Sequence, residues 1–143
     1  MADAVVEQLR DATPVAVEQI GALIPQLTPN FVVLTLGQLR RVLEMPGAVY
    51  VARVDGRIVG TVQRIDVSHC VRTKCWIEDF VVDEAFRGQG IATRLIEMAI
   101  SEAPAEATSI NLTSNSSRVG SHRLYAKLGF ERREDTNMWR LGR

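Results

Sequence analysis

The chain has little of several features that would each define a class of protein. Its two cysteines, Cys70 and Cys75, are too few for a disulfide-stabilised scaffold, and neither belongs to a CxxC or CxxH pair that could bind zinc. The 17 acidic and 17 basic residues cancel, and the basic ones are scattered, which argues against nucleic-acid binding. No apolar run approaches the length of a membrane span, and the short, acidic N-terminus does not resemble a signal peptide. We therefore expect a cytoplasmic protein without a metal site, a nucleic-acid partner or a membrane partner.

The composition that remains is that of an ordinary globular domain. Hydrophobic residues make up 46% of the 143 residues, which is enough to build a core and too many for a disordered chain. The sequence has no internal repeat and no linker. This length predicts one domain that spans residues 1–143.

The most informative stretch runs from Trp76 to Ile100. An apolar run that contains the acidic pair Glu78–Asp79 is followed by a polar turn, then by two glycines, then by an amphipathic segment with a polar face at Arg94 and Glu97. This order predicts a strand, a glycine-rich turn and a helix. The first turn of a helix presents N–H groups and the positive end of its dipole, so the junction can bind phosphate oxygens.

Several phosphate-binding motifs compete for this junction. A P-loop requires Gly-Lys-Ser/Thr, where this chain has Gly90-Ile91-Ala92, and a dinucleotide fingerprint requires a third glycine, where it has Thr93. The third candidate fits, because Arg87-x-x-Gly90-x-Ala92 resembles the R/Q-x-x-G-x-G/A signature of the GNAT N-acetyltransferases. The later segment Leu124–Phe130, LYAKLGF, resembles the second signature of that family. The closest resemblance is to small bacterial GNAT proteins that have a WIEDVVV-like central strand.

The periodicity along the rest of the chain predicts the order β-α-α-β-β-β-α-β-α-β-β. This is an α+β arrangement in which helices flank a mixed, mostly antiparallel central sheet, and it matches the GNAT fold over nearly the whole chain. The strongest local signals are the Thr13-Pro14 helix start, the capping box at Thr35 and the Asp55-Gly56 hairpin. The C-terminal segment, residues 130–140, is predicted to form a closing hairpin.

The resemblance implies acetyl-CoA as the cosubstrate and assigns residues to hold it. In the family the pantetheine arm lies along the central strand, and the pyrophosphate lies on the glycine-rich loop. A strand N–H can also polarise the thioester oxygen. A weaker assignment is Arg118, which stands where the family often has asparagine. The expected cofactor-binding residues are Phe80, Val81, Val82, Arg87, Gly88, Gln89, Gly90, Ile91, Ala92, Arg118 and Tyr125.

Two side chains are candidates for proton transfer. Tyr125, by resemblance, protonates the departing thiolate, and its phenol has a suitable acidity for that step. Glu78 is the candidate base, because strand alternation places it on one face with Trp76, Phe80 and Val82, and apolar neighbours raise the pKa of a carboxyl group. Asp79 is expected to face the other way. Glu78 could equally bind the substrate ammonium without accepting a proton, and both roles stay open.

We therefore expect an enzyme that transfers the acetyl group of acetyl-CoA to a primary amine by direct attack. The acceptor could be a small molecule or a protein amine, and a homodimer stays open. One alternative is a non-catalytic acyl-CoA sensor of the same fold, and another is a partner-binding domain whose loop holds no ligand. Covalent acetylation of Cys75 would be a different mechanism, but no neighbouring histidine signal supports it.

Overall fold

The computed structural model of the protein describes residues 3–114 and 119–143, and at Val119 it describes the backbone alone. The chain forms two compact units, Met1–Leu112 and Thr113–Arg143. The first unit contains a five-stranded sheet and three α-helices, and the second contains one helix. The strands are β1 Val5–Leu9, β2 Gly47–Val54, β3 Arg57–Ser68, β4 Thr73–Val82 and β5 Ala107–Leu112. The helices are α1 Pro14–Leu27, α2 Leu36–Glu44, α3 Ile91–Ser101 and α4 Val119–Lys127, and a short 3₁₀ turn spans Glu84–Phe86.

The sheet has the strand order β1-β2-β3-β4-β5. The first three pairs are antiparallel and the pair β4–β5 is parallel, which confirms the predicted mixed, mostly antiparallel sheet. Asp55 and Gly56 connect β2 to β3 with φ angles of 49° and 79°, and such left-handed conformations favour a tight hairpin turn. The connection between β3 and β4 is short, because β3 ends at Ser68 and β4 begins at Thr73.

The helix starts follow the predicted capping chemistry. The Thr13 hydroxyl accepts a hydrogen bond from the Ala16 N–H at 3.1 Å, and Pro14 is the first helical residue. The Thr35 hydroxyl likewise accepts from the Gln38 N–H at 3.1 Å. These caps fix where α1 and α2 begin, on the same face of the sheet.

Apolar side chains form one core on each face of the sheet. The α3-side core contains Tyr50, Ala52, Val54, Val59, Val62, Ile77, Val82, Ile91, Leu95 and Ala99. The α1/α2-side core contains Leu9, Ala16, Ile20, Leu23, Leu39, Val49, Val51, Ile58 and Val81. Helix α3 shows the predicted amphipathic pattern, since Leu95 and Ala99 are buried while Arg94 and Glu97 are exposed.

A buried arginine links β3 to the end of α3. Arg64 is 5% exposed, and its guanidinium donates to the Tyr50 hydroxyl at 2.8 Å, to the Ala99 carbonyl at 3.0 Å and to both oxygens of Asp66. The Tyr50 hydroxyl donates onward to Glu102 at 2.8 Å. A buried charge needs such complete pairing, and this cluster therefore ties the helix to the sheet.

In the second unit, α4 ends as the sequence predicts. Gly129 has a φ of 93°, its N–H donates to Ala126, and the Phe130 N–H donates to Tyr125 at 2.9 Å, which is a Schellman arrangement. The predicted closing hairpin is wrong, since residues 130–143 contain no strand. Five consecutive charged residues, 131–135, are exposed there, and Arg133 pairs with Asp135. Met138 and Trp139 are adjacent, so they could not share one face of a strand.

Candidate active site

A β-bulge interrupts the central strand β4 at the acidic pair. Thr61 lies opposite Val81, whereas Gln63 lies opposite Glu78, so β4 contains one residue more than β3 across this step. Asp79 has a φ of 48°, a left-handed conformation that aspartate tolerates better than most residues. The bulge therefore lies at the candidate catalytic residues.

The bulge overturns part of the alternation predicted along β4. Phe80 and Val82 pack into the α3-side core, while Val81 packs into the α1/α2-side core. Trp76 and Glu78 precede the bulge and still share one face. The predicted grouping of Glu78 with Phe80 and Val82 is wrong, because the extra residue reverses the alternation after it.

The same bulge turns Asp79 toward the side that carries α1 and α2. Asp79 lines a cavity there together with Gln63, the residue opposite Glu78 in the neighbouring strand. The expectation that Asp79 faces away from Glu78 is therefore wrong. The two carboxylates of the pair lie on the same side of the sheet.

Both carboxyl groups hold their protons more strongly than usual. Burial raises the pKa of Glu78, and the charge of Asp79 raises it further. Burial also raises the pKa of Asp79. Across residues 3–114 and 119–143 the ion pairs are Arg53–Glu7, Arg64–Asp66 and Arg133–Asp135, so neither Glu78 nor Asp79 forms an ion pair within these ranges.

The cavity beside Asp79 has a volume of about 70 Å³. Helices α1 and α2 and the segment between them form its apolar walls, and the sheet forms its floor. Its lining residues are Ile20, Ile24, Leu27, Leu34, Leu39, Val42, Val49, Thr61, Gln63, Asp79 and Val81.

The strand β4 continues past the end of its pairing with β5. The parallel register runs from Thr73 to Ile77, which lies opposite Leu112, the last residue of β5. The predicted coenzyme-binding residues Phe80, Val81 and Val82 follow that point. On the other edge of β4, Val81 and Val82 pair with β3.

The glycine-rich turn leaves open space in front of helix α3. Gly88 and Gly90 have φ angles of 78° and 79°, and a Cβ atom at either residue would meet no heavy atom within 4 Å. Gly90 is the N-cap of α3, and no side chain caps this helix. Arg87 and Gln89 are exposed, Ile91 is buried and anchors the turn in the core, and Ala92 is half-buried.

Arg87 has a structural contact that the sequence did not predict. Its Nε donates to the Val82 carbonyl at 3.0 Å, which joins the glycine-rich turn to the end of β4. The contact uses one of the five guanidinium N–H donors and restrains the guanidinium beside the end of β4. The charge thus lies between the strand and the turn that are both expected to hold the coenzyme.

The candidate acid lies in the second unit. Tyr125 is half-buried in α4, and its ring meets the edge of Phe130 at a centroid distance of 5.9 Å. The predicted coenzyme contact Arg118 lies outside the described residues. Tyr125 and Phe130 therefore pack against each other where α4 ends.

Cys75 lacks the character of a nucleophile. It is fully buried, and its thiol donates to Asp66 at 3.2 Å. Burial and then the Asp66 hydrogen bond raise the pKa of the thiol to about 11, so the reactive thiolate is scarce near neutral pH.

Sequence reasoning missed the bulge at Asp79 and the buried Arg64 cluster. The acidic pair Glu78–Asp79 within an apolar strand was the available signal for the bulge, because aspartate tolerates a left-handed backbone. No local signal marked Arg64, whose partners Tyr50 and Ala99 are distant in sequence.

Comparison with known proteins shows the family of the chain. Residues 15–130 match the Acetyltransferase (GNAT) family, and the chain belongs to that family. No curated protein sequence matches it. The family uses acetyl-CoA as its acetyl donor.

Solved structures share the fold over nearly the whole chain. A putative acetyltransferase from Agrobacterium tumefaciens str. C58 is 23% identical with a TM-score of 0.82, and the match covers 96% of this chain and 99% of that chain. An aminoglycoside acetyltransferase from an uncultured soil metagenomic sample is 26% identical with a TM-score of 0.74, covering 98% of each chain. Aminoglycoside N-acetyltransferase AAC(6')-Iy in complex with CoA is 18% identical with a TM-score of 0.77, covering 99% of this chain and 96% of that chain.

Among residues 3–114 and 119–143, no helix is long and apolar enough to cross a membrane. Within the same ranges, no group of three or more His, Cys, Asp or Glu side chains is arranged to hold a metal ion.

Proposed function

We propose that this protein transfers the acetyl group of acetyl-CoA to a primary amine by direct attack. The observation that carries the proposal is the layout of residues 78–92. Two carboxyl groups with raised pKa values lie on β4, and an open glycine turn at a helix N-terminus follows the same strand. An amine acceptor and a phosphate-bearing donor can therefore meet on one strand.

The glycine turn suits the pyrophosphate of acetyl-CoA. Gly88 and Gly90 leave room where a Cβ atom would otherwise stand, and the first N–H groups of α3 carry the positive end of the helix dipole. The remaining N–H donors of Arg87 supply a positive charge. We assign the pyrophosphate to residues 87–92.

The pantetheine arm is assigned to the part of β4 that runs past β5. An extended chain can add to a strand through backbone hydrogen bonds, with little demand on side-chain identity. Phe80, Val81 and Val82 supply this stretch of backbone, and one of their N–H groups is assigned to the thioester oxygen, which becomes negative during attack. Arg118 and Tyr125 remain proposed contacts from the second part of the chain.

The reaction needs a neutral amine and a proton for the sulfur. The amine nitrogen attacks the thioester carbonyl, a C–N bond forms, and the C–S bond breaks to release CoA thiolate. The nitrogen loses one proton to a base and the thiolate gains one from an acid, so the products are an amide and CoA. Glu78 is the proposed base, directly or through a water, and the Tyr125 hydroxyl is the proposed acid.

The proposal is tested by measuring acetyl-CoA binding and CoA release on the same preparation. Calorimetry with acetyl-CoA should show saturable binding, and a panel of primary amines should release free CoA at rates above the hydrolysis background. Binding without release over the whole panel would identify an acyl-CoA sensor instead. Absence of binding would contradict both functions and favour a partner-binding domain.

A further inference from the structure

The cavity beside Asp79 has a polar end and an apolar end. Thr61 and Gln63 lie on β3, and Asp79 lies on β4, so the polar groups belong to the sheet. The side chains that α1 and α2 contribute are all aliphatic, namely Ile20, Ile24, Leu27, Leu39 and Val42. A molecule in this cavity would meet the Asp79 carboxylate, the Gln63 amide and the Thr61 hydroxyl at one end, and hydrocarbon around the rest.

The polar end attracts a cation or an amine. Asp79 lines the cavity, and Glu78 lies opposite Gln63, which also lines it. No positively charged side chain lines the cavity among the described residues. The Thr61 hydroxyl already donates to the Tyr50 carbonyl at 3.2 Å, so its proton is not available to a ligand.

The apolar end sets the size of what it can hold. The volume of about 70 Å³ is far above the space that one water needs. It is roughly half the volume of a cavity of about 150 Å³ that binds benzene in an engineered protein. A short aliphatic group therefore fits better than an aromatic ring.

A second cavity, of about 260 Å³, shares Ile24 and Leu34 with the first. Phe31 and Val33 also line it, as does the charged residue Glu18. Phe31 is 45% exposed and Val33 is 76% exposed. Exposed hydrocarbon beside a pocket favours the approach of an apolar ligand.

We propose that the acceptor is a primary amine on a short, unsubstituted alkyl chain, with its nitrogen at Asp79 and Glu78 and its chain in this cavity. The inference rests on the proposed function. It excludes free amino acids as preferred acceptors, because their carboxylate would meet two carboxylates. It also disfavours amino alcohols and polyamines, because aliphatic walls cannot pair their extra polar groups.

The first experiment compares n-butylamine with 3-amino-1-propanol, which has the same number of heavy atoms. The aliphatic walls should give butylamine a kcat/KM at least about tenfold higher, since a buried hydroxyl without a hydrogen-bond partner loses its hydration. From ethylamine to butylamine, KM should fall by about three- to fourfold per methylene. Equal or better use of 3-amino-1-propanol would overturn the proposal.

The second experiment fills the cavity from α2. Val42→Phe should lower kcat/KM for butylamine at least about tenfold, while methylamine, which does not need the cavity, keeps its rate. Val15→Phe is the matched control, because Val15 is 58% exposed on α1 and lines neither cavity. Both variants should have the acetyl-CoA affinity and the circular dichroism spectrum of the wild type.

A further variant guards against misfolding of Val42→Phe. Val42→Ala enlarges the cavity and should shift the preferred chain from butylamine toward hexylamine. An equal loss with every amine in both Val42 variants would contradict the proposal while leaving acetyl transfer intact. No CoA release with any amine would instead contradict the proposed function itself.

Discussion

Glu78 and Asp79 differ from the other acidic residues because a bulge directs both toward one side of the sheet. In a regular strand, adjacent side chains point to opposite faces, and the two carboxylates would be separated by the backbone. Here burial raises the pKa of each, and the charge of Asp79 adds to the effect on Glu78. A carboxyl group with a raised pKa is a better base near neutral pH.

A pH–rate profile separates the two roles proposed for Glu78. If Glu78 is the base it must be ionised, so kcat should rise with pH through its raised pKa. Glu78→Gln should lower kcat most near neutral pH and recover part of the loss at high pH, where more of the amine is already neutral. The measurement uses one good amine acceptor across the pH range.

The exposed residue Glu44, at the end of α2, provides the control for this profile. Glu44→Gln removes the same charge and should leave kcat unchanged. A Glu78→Gln protein with normal kcat and a raised acceptor KM at every pH would exclude the base role. Glu78 would then be a residue that binds the substrate cation.

The two tyrosines of the chain provide a matched test of the acid. Tyr125→Phe should lower kcat by about tenfold to a thousandfold with little change in acetyl-CoA affinity, because only the proton donor is lost. Tyr50→Phe removes a hydroxyl that bonds Glu102 and Arg64, so it should lower stability by about 1–3 kcal/mol and leave kcat intact. Steady-state kinetics gives kcat and urea unfolding gives the stability of both variants. Wild-type turnover in Tyr125→Phe would contradict the assignment of Tyr125 as the acid.

At the scale of elements, the turn before α3 depends on glycine for two reasons. Gly90 has a positive φ, and the space in front of it is open. Gly56 in the β2–β3 hairpin has the same φ of 79° and the same open space. A substituted side chain would therefore meet the same backbone strain at either glycine, and the two positions differ only in their location.

Replacing each glycine by valine separates strain from coenzyme recognition. Both variants should lose about 1–2 kcal/mol of stability, because an L side chain is strained at positive φ. Gly90→Val should also reduce acetyl-CoA affinity by tenfold or more, since its side chain fills the space assigned to phosphate. Calorimetry checks this, and equal acetyl-CoA affinity in the two variants would contradict the assignment of the turn.

Helix α3 is held at its other end by Arg64. Arg64→Leu should cost about 3–5 kcal/mol, because it leaves Asp66, whose side chain is only 14% exposed, without its counter-charge. Arg57→Leu, at an exposed site on the same strand, should change the free energy of unfolding by less than about 0.5 kcal/mol. Urea unfolding compares the two, and similar small losses would mean that the cluster adds little to stability.

At the scale of the whole molecule, the acidic pair makes the folded state sensitive to pH. Both carboxyl groups have a higher pKa when folded, so over a range of pH the folded chain binds more protons than the unfolded chain. Their contribution to the free energy of unfolding therefore falls as pH rises from the unfolded pKa values through the raised folded values. Asp135 acts in the opposite direction, because Arg133 lowers its pKa to about 2.

The double variant Glu78→Gln, Asp79→Asn isolates this effect. It should be as stable as the wild type at acid pH, where both carboxyls are protonated, and more stable above the raised pKa values. Asparagine tolerates the backbone conformation of residue 79, so the bulge remains. Urea unfolding between pH 4 and pH 8 measures the difference in free energy of unfolding between the double variant and the wild type. Asp135 is present in both proteins, so its contribution cancels from this difference. A difference that does not change with pH would contradict the pKa shifts.

Much of the fold follows from local sequence signals. The caps at Thr13 and Thr35, the Asp55-Gly56 turn and the stop at Gly129 each depend on residues within one turn of the chain, and their chemistry acts without long-range contacts. The period of the apolar residues predicted α3 and the strands of the mixed sheet, because such a period is also a local feature of the sequence. The signature from Arg87 to Ala92 predicted the family, which the match to residues 15–130 confirms.

Tertiary structure decided what local patterns could not. Strict alternation misplaced Asp79 and Phe80, because a bulge arises from the register between two strands and not from either strand alone. The predicted C-terminal hairpin is absent, because a strand needs partners as well as β-forming residues. By itself the sequence determined the family and the candidate residues. The pairing of β3 with β4 determined which way those residues face, because only the neighbouring strand sets the register of the site.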